Sequence, residues 1–269
     1  AARVKQAKAA AIANLKKANI DKPTVVETPN YIVVGSLPEA KAKALGEVLE
    51  KSTVLARKAL KFDDKESPWK GKLTVYFMPD SAEFKALMRR AFQVPPEGAH
   101  TDLRADPPIL VDPAEVTGKA TDADLYFNTA ARVAGAHLQG KGTGTQNLPD
   151  WLRDGFGRVS AMRAEGANSK RYAVYKAQAK GALAKGGKLA DVWDAGKSPA
   201  GEALGLSFAD YLTYGPGAAK FPMILDALKP GENNQAPTIQ QALEAAGLKD
   251  KDREFAPLEA AWKKWAAAK

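Results

Sequence analysis

Chemistry in this chain has few side chains to draw on. His100 and His137 are the only histidines among 269 residues, and cysteine is absent. The absence of cysteine excludes disulfides, thiol catalysis, Cys-ligated zinc and c-type haem attachment. Two imidazoles are too few for most histidine-based metal cages. A Ser-His-Asp triad needs only one histidine, but the sequence contains no Gly-x-Ser-x-Gly elbow. Phosphate-loop patterns also fail. Gly181 to Lys188 is off by one in its spacing and is followed by Leu189 rather than a hydroxyl residue, and Gly196-Lys197-Ser198 has no glycine at the required distance upstream. Carboxylates are plentiful, with 31 acidic residues. A metal-independent hydrolase would need two of them roughly 5–10 Å apart in a pocket, and Asp112, Glu115, Asp122, Asp124 and Asp154 are the candidates.

His137 has the most informative setting. Tyr126, Ala130, Val133, Ala134, His137 and Leu138 fall on one helical stripe. His137 is therefore either a packed core side chain or the survivor of a ligand pair. A zinc-binding helix places two histidines at i and i+4, with a glutamate after the first as general base. Here that frame reads Val133-Ala134-Gly135-Ala136-His137. Val133 has no donor atom, and Ala134 cannot take a proton from water. Asp154 also has two readings: a remaining ligand, or a surface carboxylate paired with Arg158 at i+4 and favoured, like Asp150, near a helix N-terminus. The small residues Ala130, Ala131, Ala134, Gly135 and Ala136 predict that another element crosses this helix closely.

The elements around these residues follow from periodicity and punctuation. An Ala/Lys-rich helix is expected over 1–19, ending before Asp21-Lys22-Pro23. Residues 31–35, 73–78 and 109–111 read as strands. Ser36 is expected to cap a helix reaching Leu60, and 79–81 to start another with Phe84, Leu87, Met88 and Phe92 on one face. From 122 the pattern is helical, over 122–139, 149–164, 168–184, 200–214, 217–229, 238–246 and 251–268, with Gly- and Pro-containing breaks between. The fold class is α+β: a small mixed sheet with helices in the N-terminal half and a mostly helical C-terminal half. The expected divisions are a helical extension over 1–24, a strand-bearing half over 25–140 and a helical half over 141–269.

The run Leu148-Pro149-Asp150-Trp151-Leu152-Arg153-Asp154-Gly155-Phe156 resembles the Leu-Pro-x-Trp-Leu-x-Glu-Gly-hydrophobic segment of gluzincin metallopeptidases, the peptidase-MA-like group of bacteria. The order of elements over 25–268 is similar to theirs as well. Glu27 to Val34 and the helix to Leu60 resemble their opening strand and helix, and Leu73 to Phe84 their second strand and the helix after it. Asp252-Arg253-Glu254-Phe255, running into Trp262 and Trp265, resembles their closing helix. By this resemblance the family's second zinc histidine corresponds to His137 and its glutamate ligand to Asp154, one methylene shorter. The first histidine and the catalytic glutamate correspond to Val133 and Ala134, which do not match. The resemblance thus implies the family's frame without its metal, its cofactor or its reaction. It implies a cleft lined by Tyr126 and Trp151, and a peptide or protein partner adding along a sheet edge. It further implies an exported protein, periplasmic or secreted, with a signal peptide removed ahead of Ala1-Ala2-Arg3.

The net charge is +9. Lysines such as Lys5, Lys8, Lys16 and Lys17 read as solvated helix faces; the sharper reading is an anionic partner, whether nucleic acid, phospholipid headgroups or an acidic glycan. A nucleic-acid surface would interleave aromatic residues with its basic ones. Only Trp262-Lys263-Lys264-Trp265 does so, and its spacing fits a helix with one buried Trp, which argues against nucleic acid. No run of about 18 apolar residues predicts a transmembrane helix. The leading expectation is a non-catalytic, gluzincin-like binding or structural module. A carboxylate hydrolase and a binder of anionic polymers are the alternatives.

Overall fold

Three runs of β-branched and aromatic residues form the middle of one sheet in the computed structural model, which describes residues 2–63, 65–113, 120–141, 148–166, 168–193, 198–230, 235 and 237–268. In chain order the elements are α1 (Ala2–Lys17), β1 (Thr24–Glu27), β2 (Tyr31–Gly35), α2 (Glu39–Ala59), β3 (Leu73–Phe77), α3 (Ser81–Leu87) continued by a π-helical turn (Met88–Phe92), β4 (His100–Asp102), β5 (Ile109–Asp112) and α4 (Asp122–Lys141). Then come α5 (Asp150–Ala164), α6 (Lys170–Ala184), α7 (Leu189–Trp193), α8 (Pro199–Thr213), a 3₁₀ turn (Pro216–Ala219), α9 (Phe221–Ala227), α10 (Ile239–Ala245) and α11 (Ala256–Ala268). The class is α+β, with the sheet in the N-terminal half and helices filling the C-terminal half. No described helix is long and apolar enough to cross a membrane.

The chain divides into two compact units. The first comprises Ala1–Thr53 and Lys65–Val133, the second Val54–Asp64 and Ala134–Lys269. The division falls inside α2 and α4, whereas the sequence suggested a boundary at the Gly-rich break after 140. Nor is the first helix a separate extension. Ala7, Ala11 and Leu15 of α1 are buried in the core of the first unit, because its small apolar stripe lets it lie close to the sheet.

In the first unit the strand order is β1-β2-β3-β5-β4. The central β2, β3 and β5 are parallel, and β1 and β4 are antiparallel edges. Parallel strands covered on both faces read as continuous apolar runs, and all three are buried along their whole length. Ile32, Val34, Tyr76 and Val111 share one face and pack with α1 and with Phe84 and Leu87 of α3. On the opposite face the Tyr31 hydroxyl meets Thr53 of α2, and Phe77 packs against Tyr126 of α4, ring centroids 6.0 Å apart. At the end of β2 a Cβ on Gly35 would run into the Phe77 carbonyl, so only glycine permits this approach. The edge strands β1 and β4 have four and three residues, too short for periodicity to reveal. Ser36 does not cap α2; its hydroxyl bonds the Glu83 carboxylate.

In the second unit α8 is buried along nearly its whole length and serves as the central helix. Its start is capped by Ser198, whose hydroxyl accepts from the Gly201 N–H at 3.0 Å. The Trp262 ring of α11 is buried, and its N–H donates to the Ser207 hydroxyl at 3.1 Å. The helix expected over 217–229 is a 3₁₀ turn followed by α9, with Pro222 in the first turn of α9, where its missing N–H costs nothing. Asp210, in the last turn of α8, is fully buried. Its Oδ1 accepts from Arg163 Nε at 3.0 Å and from a terminal guanidinium nitrogen at 2.7 Å. Its Oδ2 accepts from the Tyr172 hydroxyl at 2.8 Å and the Tyr175 hydroxyl at 3.0 Å. This cluster joins α5, α6 and α8. Removing one member of a buried pair leaves an uncompensated charge, at a cost on the order of 3–5 kcal/mol. Asp210→Ala is therefore expected to lose about that much in urea denaturation, and a loss below about 1 kcal/mol would show that the cluster contributes little.

Candidate functional site

The stripe on α4 forms as its periodicity predicts: Tyr126, Ala130, Val133, Ala134, His137 and Leu138 are all buried. Tyr126 belongs to the first unit. Burial, and then the nearby Asp122 carboxylate, push its hydroxyl pKa up. Its ring packs against Phe77, as a core aromatic would.

His137, in the second unit, is 1% exposed. Its ring meets Phe62 edge-on, with centroids 6.1 Å apart and planes at 77°. Two cations lie over the same Phe62 ring: the Arg57 guanidinium at 5.0 Å and the Lys141 ammonium at 4.6 Å. Burial, reinforced by the Arg57 charge, pushes the imidazole down to about 3. His137 is thus neutral at ordinary pH. A neutral imidazole can ligate metal, but a divalent ion here would be desolvated near the Arg57 charge, with Val133 and Ala134 offering no donor.

The close crossing expected from the small residues of α4 is present. A Cβ on Gly135 would lie 3.3 Å from the Arg153 carbonyl at the start of α5. Positions 135 and 137 point about 200° apart around a helix, so the face of α4 that meets Arg153 is not the face that carries His137. Asp154 stands on the outside, its side chain 62% exposed and 3.0 Å from Arg153 Nε. Arg153 also reaches Asp150 at 2.9 Å. The expected i, i+4 pair with Arg158 is not the one formed. Arg158 turns to Glu202 of α8, because the crossing of α5 and α8 brings that carboxylate within reach. His137 and Asp154 are therefore presented in opposite settings, one inside and one in solvent. Among the described residues no three His, Cys, Asp or Glu side chains are grouped so as to hold a metal ion.

Five of the nine residues in Leu148–Phe156 have a packing role. Leu148, Leu152 and Phe156 are core residues. The Trp151 ring lies 5.7 Å from Phe208 and 5.9 Å from Trp193. Gly155 faces α8, where an added Cβ would come within 2.9 Å of the Ala209 Cβ. Along this crossing runs a shallow groove of about 210 Å³ lined by Asp150, Trp151, Asp154, Arg158, Glu202 and Leu206 with the intervening glycines. Trp151 and Asp154, both singled out from sequence, share this groove.

Among the described residues, the carboxylates proposed for a hydrolase have separate partners. Asp112 is buried at the end of β5, 3.4 Å from Arg132 Nε. Asp122 pairs with Lys41 at 2.9 Å, and Asp124 accepts from the Thr121 N–H and hydroxyl at the start of α4. Glu115 lies outside the described residues. The polar group that sequence reasoning missed is Asp210. Its signal was present: one aspartate in the apolar run Leu204-Gly205-Leu206-Ser207-Phe208-Ala209-Asp210-Tyr211-Leu212, where a buried charge demands partners. Burial opposes the charge of Arg163, but the Asp210 carboxylate outweighs it and raises the guanidinium pKa. Burial and the same carboxylate raise the Tyr172 and Tyr175 hydroxyl values.

No known protein family, curated protein or solved structure matches the chain.

Two outcomes are expected. Because the pKa of His137 is lower folded than unfolded, its contribution is fully present above about pH 6.5. It is lost as pH falls from there toward 3, by at most about 1.4 kcal/mol per pH unit. Urea denaturation between pH 7 and 4 should therefore show a shallower loss for His137→Leu than for the parent chain; parallel curves would mean that His137 titrates normally. Gly155→Val should destabilise by roughly 1–3 kcal/mol through overpacking against α8, and an unchanged unfolding midpoint would contradict the close crossing.

Proposed function

We propose that the chain is a non-catalytic binding module, a gluzincin-like frame whose zinc chemistry has been replaced by packing, working outside the cytoplasm. The observation that carries this reading is the setting of His137. The one imidazole in the degenerate frame is enclosed, neutral and packed against Phe62, with the Arg57 charge nearby. Zinc hydrolysis needs three ligands, an open position and a base beside the bound water. Val133 and Ala134 stand where one ligand and the base would be, and Asp154 is held by Arg153 at the surface.

What such a module keeps is shape and charge. The groove along α5 and α8 combines an indole, a leucine and two glycines with the carboxylates of Asp150, Asp154 and Glu202. It is large enough for one side chain of a protein or peptide partner, and its aromatic wall is fixed by Phe208 and Trp193.

Metal analysis and a cleavage assay test the reading together. Protein purified without chelator and dialysed against zinc-free buffer is expected to hold well under one zinc per chain, and to cleave no peptide from a random library. Zinc near one per chain together with chelator-sensitive cleavage would overturn it.

A further inference from the structure

The groove along α5 and α8 has a floor without side chains. Gly155 and Gly205 meet there, with the Gly205 carbonyl 3.5 Å from where a Cβ on Gly155 would stand. Trp151, Gly155 and Arg158, at i, i+4 and i+7, follow one face of α5, so the groove runs for about 10 Å along that helix. The half-buried Trp151 ring lines it from α5, and Leu206 lines it from α8. The indole is held from behind by Phe208 and Trp193, so this wall does not depend on an occupant for its position.

The charge of the groove runs against that of the chain. Three carboxylates and one guanidinium line it, in a protein of net charge +9. Asp150 and Asp154 both pair with Arg153, at 2.9 and 3.0 Å. One cation therefore serves two carboxylates, and a negative charge is left over. Glu202 is paired with Arg158. All three carboxylate side chains are more than half exposed, and ion pairs so exposed are weak enough for an incoming cation to displace the internal one.

We propose that this groove takes a basic side chain, a lysine or arginine on a peptide or protein partner, with its apolar stem over the glycine floor and its charge beside Asp150, Asp154 and the Trp151 ring. An anion would meet the leftover negative charge. A wholly apolar side chain would cover the rim carboxylates and offer them no hydrogen bond in place of water. A bare metal ion needs convergent ligands, and among the described residues no three acidic side chains converge to hold one. An elongated cation needs no such convergence. Its methylenes pack on Leu206 and the glycines, and its charge is favoured by the indole face and the carboxylates together. The inference rests on the binding-module reading above, and the two fail separately. Zinc with chelator-sensitive cleavage overturns that reading, whereas zinc-free protein that ignores basic side chains overturns only this one.

The test follows the isotope-labelled whole chain by NMR as a blocked Gly-Gly-Lys-Gly-Gly peptide is added. Saturable shifts of the Trp151 indole N–H and of the Gly155 and Gly205 amides are expected, with binding that weakens as salt is raised. Norleucine in place of lysine keeps the stem without the charge and should bind roughly tenfold more weakly. Glutamate in its place should not bind. Asp150→Asn/Asp154→Asn should lose roughly tenfold in affinity for the lysine peptide. Asp21→Asn/Glu97→Gln removes the same charge from the first unit and should stay within about twofold. Arg158→Gln frees Glu202 and should tighten binding roughly twofold or more. Equal affinity for the lysine and norleucine peptides would overturn the proposal, as would equal losses in the two double variants or looser binding in Arg158→Gln. The absence of shifts at Trp151, Gly155 and Gly205 would likewise overturn it.

Discussion

A carboxylate taken out of water must have its lone pairs used, or the fold that buries it does not hold. Asp210 meets that condition with four donors, two nitrogens from Arg163 and the hydroxyls of Tyr172 and Tyr175. The donors come from α5 and α6, and the acceptor from α8. These three helices therefore have one mutual arrangement in which nothing is left unpaired, which is the sense in which a buried polar cluster specifies structure as well as stabilising it. Arg163 also lies over the Tyr214 ring at 4.7 Å, and the Tyr214 hydroxyl is 2.7 Å from that of Ser160, so the fastening extends to the C-terminal end of α8. The groove along α5 and α8 is carried by helices held in this way.

His137 is the opposite solution to the same problem. Where Asp210 is paired, His137 is held neutral by burial and by the Arg57 charge. A catalytic metal site needs ionised or metal-bound groups in a space that water can enter on one side. The α4 stripe offers apolar closure instead, and Asp154 stands in solvent beside Arg153. The groove along α5 and α8 is rimmed by Asp150, Asp154 and Glu202, each paired with Arg153 or Arg158.

Much of this architecture was readable in the sequence. The three central strands were evident because burial on both faces leaves an unbroken apolar run, and most helices because their apolar stripes have the right period. The close crossing at Gly135 was signalled by its small neighbours, and the buried Trp262 by its spacing from Trp265. The edge strands β1 and β4 were not visible, since three or four half-exposed residues carry no period. Nor was α7, which has five residues. Glycine-rich breaks mark where the backbone bends, whereas compact units are set by which side chains pack together. That division runs through the middle of α2 and α4.

For the candidate site, the sequence alone determined what chemistry is missing. No cysteine and only two histidines are facts of composition that no folding can change. Only the tertiary structure decided what the remaining groups do. Asp154 and Arg158 are four residues apart, yet Arg158 turns to Glu202, 44 positions away, because helix crossing brings distant carboxylates nearer than local spacing does. His137 could be a ligand or a core residue by periodicity alone, and its neighbours Phe62 and Arg57 come from another part of the chain. The physical reason is common to both: local pattern fixes which way a side chain faces on its own helix, but its charge state and partners depend on what the rest of the chain brings to that face.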